Sequence, residues 1–165
     1  MKFLPIILGC IICGSGANVV LNQITGVTTN NLMFTGFIPV SDSSTSNLFF
    51  TFYGRDGETD QSKLKSYPLI IVVSNPGSSS QYLNLGGIGP MTLKTDMTLV
   101  KNQLSATTFS NVLFIDSLGS GFSFASSKDE IPTTHKAFGQ QLTYAINLFI
   151  SQADIGKSQD VYLVG

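Results

Sequence analysis

Pro68 is followed by Leu69-Ile70-Ile71-Val72-Val73, an apolar run with no polar interruption. Successive side chains of a strand point to opposite faces, so such a run needs apolar cover on both sides of its sheet. That is the situation of a strand inside a parallel sheet with other elements packed on each face. Val112–Ile115 and Val161–Val164 have the same character and are expected as two further buried strands. Between them, Phe138, Leu142, Ala145 and Phe149 recur at near-helical spacing, Ile146 and Ile150 widen the apolar stripe, and Thr133 or Thr134 can cap the first turn. Strand, helix, strand reads as a right-handed crossover unit, and the fold class is α/β.

Upstream, Leu32–Val40 and Asn47–Gly54 are rich in Phe, Leu and Thr, with the turn-forming Ser41–Ser46 between them. The pair reads as an antiparallel hairpin in front of the parallel strands. Arg55-Asp56-Gly57 turns the chain, and the polar stretch Gly57–Tyr67 is expected to lack regular structure.

With 165 residues and 42% apolar composition the chain can bury one core. A net charge of −1, with only 12% of residues charged, gives no field able to hold nucleic acid or an anionic membrane surface. His135 is the only histidine, and Asp, Glu and His never cluster at ligand spacing, so neither a metal nor a cofactor is expected. His135 itself falls in the first turn of the expected helix and reads as a helix-start residue.

At the N-terminus, Lys2 precedes an apolar run from Phe3 to Cys13, and Ser15-Gly16-Ala17 offers a small-residue cleavage site. Residues 1–17 are read as a signal peptide, leaving 18–165 as a domain routed through the secretory pathway to an extracellular, lysosomal or vacuolar location. Pro5 and Gly9 disfavour a buried helix there. Cys10 and Cys13 both lie inside the signal, so the mature chain is expected to carry no disulfide. It has no Asn-x-Ser/Thr acceptor either.

Each buried strand runs into turn chemistry. Leu69–Val73 leads into Asn75-Pro76-Gly77-Ser78-Ser79-Ser80, and Val112–Ile115 leads into Asp116-Ser117-Leu118-Gly119-Ser120-Gly121-Phe122-Ser123-Phe124. Ligands of open α/β sheets gather at the carboxyl ends of strands, which makes these the loops to inspect. Taken in order, Phe34–Ile38, Leu48–Tyr53, Pro68–Ser80, Gly89-Pro90 and Asn111–Phe124 resemble the serine carboxypeptidase family, a branch of the α/β-hydrolases.

That resemblance implies hydrolytic release of C-terminal residues from peptides, with the Asn75, Pro76, Gly77, Ser79 and Gly121 loops forming the oxyanion and substrate side of the site. It also implies that the Asn75 and Gly121 loops lie side by side, where an unrelated secreted α/β domain would leave them apart. Val161–Gly165 resembles the central strand that leads into a Glu-Ser-Tyr-x-Gly nucleophile elbow. The sequence stops at Gly165, so by resemblance the Ser, Asp and His of the triad are absent, and the chain alone is expected to be inactive.

The chain also departs from the family pattern. Ser74-Asn75 replaces two glycines, and Asn75 occupies the position whose N–H would face the oxyanion. Val73 and Gly87 stand where the family places an Asn and a Glu that recognise the substrate carboxylate, and Ser78 replaces a loop cysteine. A sheet ending on Val161–Val164 leaves that strand short of a neighbour. The expected partners are a peptide substrate for a completed protein, or a protein that covers this edge in the alternative of a non-catalytic secreted binding module.

Overall fold

In the computed structural model, which describes residues 20–23, 31 and 33–165, a six-stranded mixed sheet organises the chain. The strands are β1 (Val20–Gln23), β2 (Met33–Pro39), β3 (Asn47–Tyr53), β4 (Leu69–Val73), β7 (Asn111–Ile115) and β8 (Val161–Val164), in spatial order β1-β2-β3-β7-β4-β8. Pairings from β1 through β7 are antiparallel, and β4 lies parallel to both β7 and β8. A separate two-stranded ribbon joins β5 (Met91–Leu93) to β6 (Leu99–Lys101), preceded by the short helix α1 (Gln81–Leu83). The expected α/β class, with a hairpin ahead of parallel strands, is the observed architecture. The segment read as a signal peptide lies outside the described residues.

Alternation along the central strands fixes the two faces. Leu48, Phe50 and Phe52 of β3, Leu69, Ile71 and Val73 of β4, and Leu113 and Ile115 of β7 meet Leu142, Ala145 and Phe149 of α2 (His135–Ala153) in the main core. Phe149 stacks edge-on against Phe50, with ring centroids 5.5 Å apart, and lies 5.8 Å from Phe52. The alternate residues Tyr53, Val72, Val112 and Phe114 form a smaller cluster with Ala106 on the opposite face. Thr134 caps α2, its Oγ1 accepting from the Ala137 amide at 3.2 Å. Asp154 ends the helix in the left-handed conformation.

Two expectations need correction. Gly57–Tyr67 is not featureless: Gln61–Ser66 forms a 3-10 helix, started by the Asp60 carboxylate accepting from the Ser62 amide and anchored by the fully buried Leu64. One apolar residue in a polar stretch gives no periodicity, yet it suffices to pin a turn onto the core. β8 forms where expected but is not buried. It pairs only with β4 among the described residues, and its four side chains are 41–63% exposed.

Candidate functional site

β4 and β7 are parallel neighbours, with Val73 opposite Ile115, so the loops that follow them leave the sheet at the same end. Asp116, the first residue beyond β7, is fully buried. Its Oδ1 accepts from the Ser80 amide at 2.6 Å, the Ser80 hydroxyl at 2.8 Å and the Ser79 hydroxyl at 2.9 Å. Its Oδ2 accepts from the Phe122 amide at 3.2 Å. One carboxylate therefore ties the loop after β4 to the loop after its own strand, through charge-assisted bonds of the stronger kind.

Gly121 is what lets the loops close this far. It has φ +55°, and a Cβ there would fall 2.0 Å from Asp116 Oδ2 and 2.7 Å from Ser79 Oγ. A second tie runs through the Ser78 carbonyl, which accepts from Ser120 Oγ at 2.7 Å and from Ser74 Oγ at 2.5 Å. Asn75, Pro76 and Gly77 sit exposed at the tip. There the Ser78 amide donates to the Asn75 carbonyl at 2.9 Å, and Gly77 has φ +84°, the Pro-Gly arrangement of a type II turn.

A polar network lies behind the first loop. Gln81 Oε1 accepts from Thr51 Oγ1 at 3.2 Å and from Asn84 Nδ2 at 2.8 Å, while Gln81 Nε2 donates to Ser80 Oγ at 3.3 Å. Asn84 Nδ2 also reaches the Tyr53 hydroxyl at 3.2 Å. Burial pushes the Tyr53 phenol above its ordinary range, and the Asn84 bond opposes this. Asn102 Nδ2 holds the carbonyls of Gly87 at 2.7 Å and Gly89 at 2.9 Å, fixing the turn before Pro90.

The five candidate residues thus fall into one constellation. Ser79 and Gly121 touch the same carboxylate, Asn75, Pro76 and Gly77 form the adjoining tip, and the two loops stand side by side. His135 is apart from them in character, an exposed residue opening α2. Sequence reading placed Asp116 in a loop without assigning it a role, and it missed Asn102 and the β5–β6 ribbon altogether. A lone acidic residue at the end of an otherwise apolar strand was the available signal for Asp116.

The profile of the serine carboxypeptidase family matches residues 24–165. This chain belongs to the serine carboxypeptidase family. It is 28% identical over 134 residues to a pheromone-processing carboxypeptidase, kex1, of Schizosaccharomyces japonicus, covering 81% of this chain and 25% of that protein. It is 30% identical over 139 residues to serine carboxypeptidase S10 family member 1 of Dictyostelium discoideum, covering 83% of this chain and 32% of that protein. The chain therefore spans a quarter to a third of the length of these relatives. Among solved structures, Kex1(delta)p, a prohormone-processing carboxypeptidase from Saccharomyces cerevisiae, superposes with a TM-score of 0.63 at 24% identity, covering 81% of this chain and 30% of that one. That likeness shows the fold, and the family member described here thus carries an α/β-hydrolase-type sheet.

Proposed function

We propose that this chain supplies the oxyanion and substrate-loop side of a serine carboxypeptidase-like peptide hydrolase of the secretory pathway, with residues 1–17 as its signal peptide. The observation that carries the reading is the pinning of the Ser79–Ser80 and Gly121–Phe122 segments to one carboxylate at the C-terminal ends of neighbouring parallel strands. In this reading the Asn75 amide faces the developing oxyanion, where a preorganised donor stabilises charge that appears only in the transition state. In this reading the family's nucleophile, base and orienting acid have no counterparts among residues 1–165, and no turnover is expected of these residues alone.

Sequencing the transcript through and beyond the Gly165 codon tests this. The expected result is an in-frame Glu-Ser-x-x-Gly, with Asp and His further on, and labelling of the complete product by a fluorophosphonate. A stop directly after Gly165 excludes catalysis by this mechanism. The exposure of β8 would then favour the second reading, a secreted binding module whose partner pairs with that strand.

A further inference from the structure

We infer that the turn between β2 and β3 is an O-glycosylation site, with the hydroxyls of Ser43 and Thr45 accepting a neutral monosaccharide. This rests on the secretory-pathway reading above, which brings the chain to sugar donors and the transferases that use them.

Five of the six residues 41–46 are Ser or Thr, and Pro39 stands just ahead of them. Clustered hydroxyls near proline are the composition that O-glycosylated segments share. The fold sorts these hydroxyls into two sets. The Ser46 carbonyl closes the turn by accepting from the Val40 amide at 3.2 Å. Ser44 Oγ donates to Glu130 Oε2 at 2.7 Å and accepts from the Ser46 amide at 2.9 Å. Ser46 is fully buried, its Oγ lying 3.2 Å from Ser126 Oγ and accepting from the Ser126 amide at 2.8 Å. Ser43 and Thr45 alternate with this inward pair and are exposed, and neither hydroxyl has a partner among the described residues. Asn47 Nδ2 holds the Thr45 carbonyl at 2.7 Å, so a free hydroxyl is carried on fixed backbone.

Charge selects the class of modification. Asp42 is the sole charged residue between Lys2 and Arg55, and the Glu130 carboxylate reaches the same turn. A phosphoryl group on Ser43 or Thr45 would add negative charge near two carboxylates, with no Lys or Arg in the turn to pair it. A sugar adds hydroxyls and no charge. The chain has no Asn-x-Ser/Thr acceptor, which leaves attachment through oxygen. In the transfer, the side-chain oxygen attacks the anomeric carbon of a sugar activated on a nucleoside diphosphate or a polyprenyl phosphate. The glycosidic C–O bond forms and the bond to phosphate breaks. The phosphate leaves with the electron pair, and the hydroxyl proton passes to a base of the transferase. Asn47, next after the turn, pairs through its backbone with Phe124, and both Phe122 and Phe124 are exposed. A glycan here hydrates a surface that has exposed rings and little charge to keep copies apart.

The test isolates the natural product from its own cells, together with a Ser43→Ala/Thr45→Val double variant and Ser44→Ala. Electron-transfer fragmentation of the peptide spanning 41–46 is expected to place a hexose or an N-acetylhexosamine on Ser43, Thr45 or both. Mild alkaline elimination should release it, the double variant should lose it, and Ser44→Ala should keep it. An unmodified 41–46 peptide in a chain cleaved after Ala17 overturns the inference and leaves the secretory reading intact. Phosphate in place of sugar, or sugar on Ser44 or Ser46, also overturns the inference alone. A chain that retains Met1 and carries no sugar overturns both.

Discussion

The Asp116 carboxylate sits 2.6 Å from the backbone nitrogen of Ser80, a residue on the other side of a parallel strand pair. That contact makes the geometry of one loop conditional on the other. Replacing Asp116 with Ala strands the Ser80 amide and hydroxyl in a fully buried position and removes the acceptor of the half-buried Ser79 hydroxyl and of the Phe122 amide. The expected loss is about 3 kcal/mol or more, because each unmet buried donor costs roughly 1–3 kcal/mol. Asp116→Asn keeps one acceptor but turns an amide group toward existing donors, and should fall between wild type and Ala. Urea denaturation of the three proteins measures this order.

Gly121→Ala is expected to push the second loop off the first, since the new methyl carbon would lie 2.0 Å from Asp116 Oδ2 at a positive φ. Hydrogen exchange should speed up at Ser80 and Phe122, whose amides Asp116 binds, and stay unchanged in α2. Uniform acceleration across the chain would show that the glycine matters to the whole fold instead of the loop contact.

Phe149→Ala should cost about 3–5 kcal/mol, the usual range for removing a large buried ring. The ring is 1% exposed and packs against both Phe50 and Phe52, so the void opens between helix and sheet, where neither can collapse readily. Phe149→Leu should recover more than half of that loss, as a thermal-unfolding series would read.

Asp56 gives the acid side of the stability profile. Partial burial raises its pKa, but hydrogen bonds from Asn31 and Thr107 and the Lys101 ammonium more than offset this, leaving it below the ordinary carboxylate value. A carboxylate with a lowered folded-state pKa stabilises the fold above its unfolded value, and that contribution is lost as pH falls through the folded one. Stability should therefore decline below about pH 4, the unfolded carboxylate range, and Asp56→Asn should flatten that part of the curve.

Tyr144 marks the alkaline side. Desolvation and the Asp42 carboxylate, which accepts its hydroxyl proton at 2.6 Å, push its phenol up to about 12. In a spectrophotometric titration Tyr144→Phe should remove a late-ionising phenol, and Asp42→Asn should bring it earlier. If neither variant changes the late part of the curve, the Tyr144–Asp42 bond does not persist in solution.

The elements with strong periodicity were legible from sequence. The β2–β3 hairpin, the apolar runs of β4 and β7, and the Thr134-capped helix each carry a signal within a single window of residues. The adjacency of the Asn75 and Gly121 loops was legible only as an implication of family resemblance. What could not be read was long-range polar pairing: Asp116 looks like an ordinary loop residue until β4 and β7 are placed in register, and Asn102 until the Gly87 and Gly89 carbonyls are turned toward it. The ribbon of β5 and β6 escaped because three-residue strands such as Met91–Leu93 leave no pattern to count.

Strand order also sets a timetable. β4 takes its two sheet partners from sequence that follows it, first β7 and then β8. During synthesis at about 5–20 residues per second, Leu69–Val73 therefore emerges without a mate, and its pairing with β8 waits on the order of ten seconds. The most apolar segment of the sheet is thus the one held open longest on the ribosome, and guarding it during that interval falls to the environment in which the chain is made.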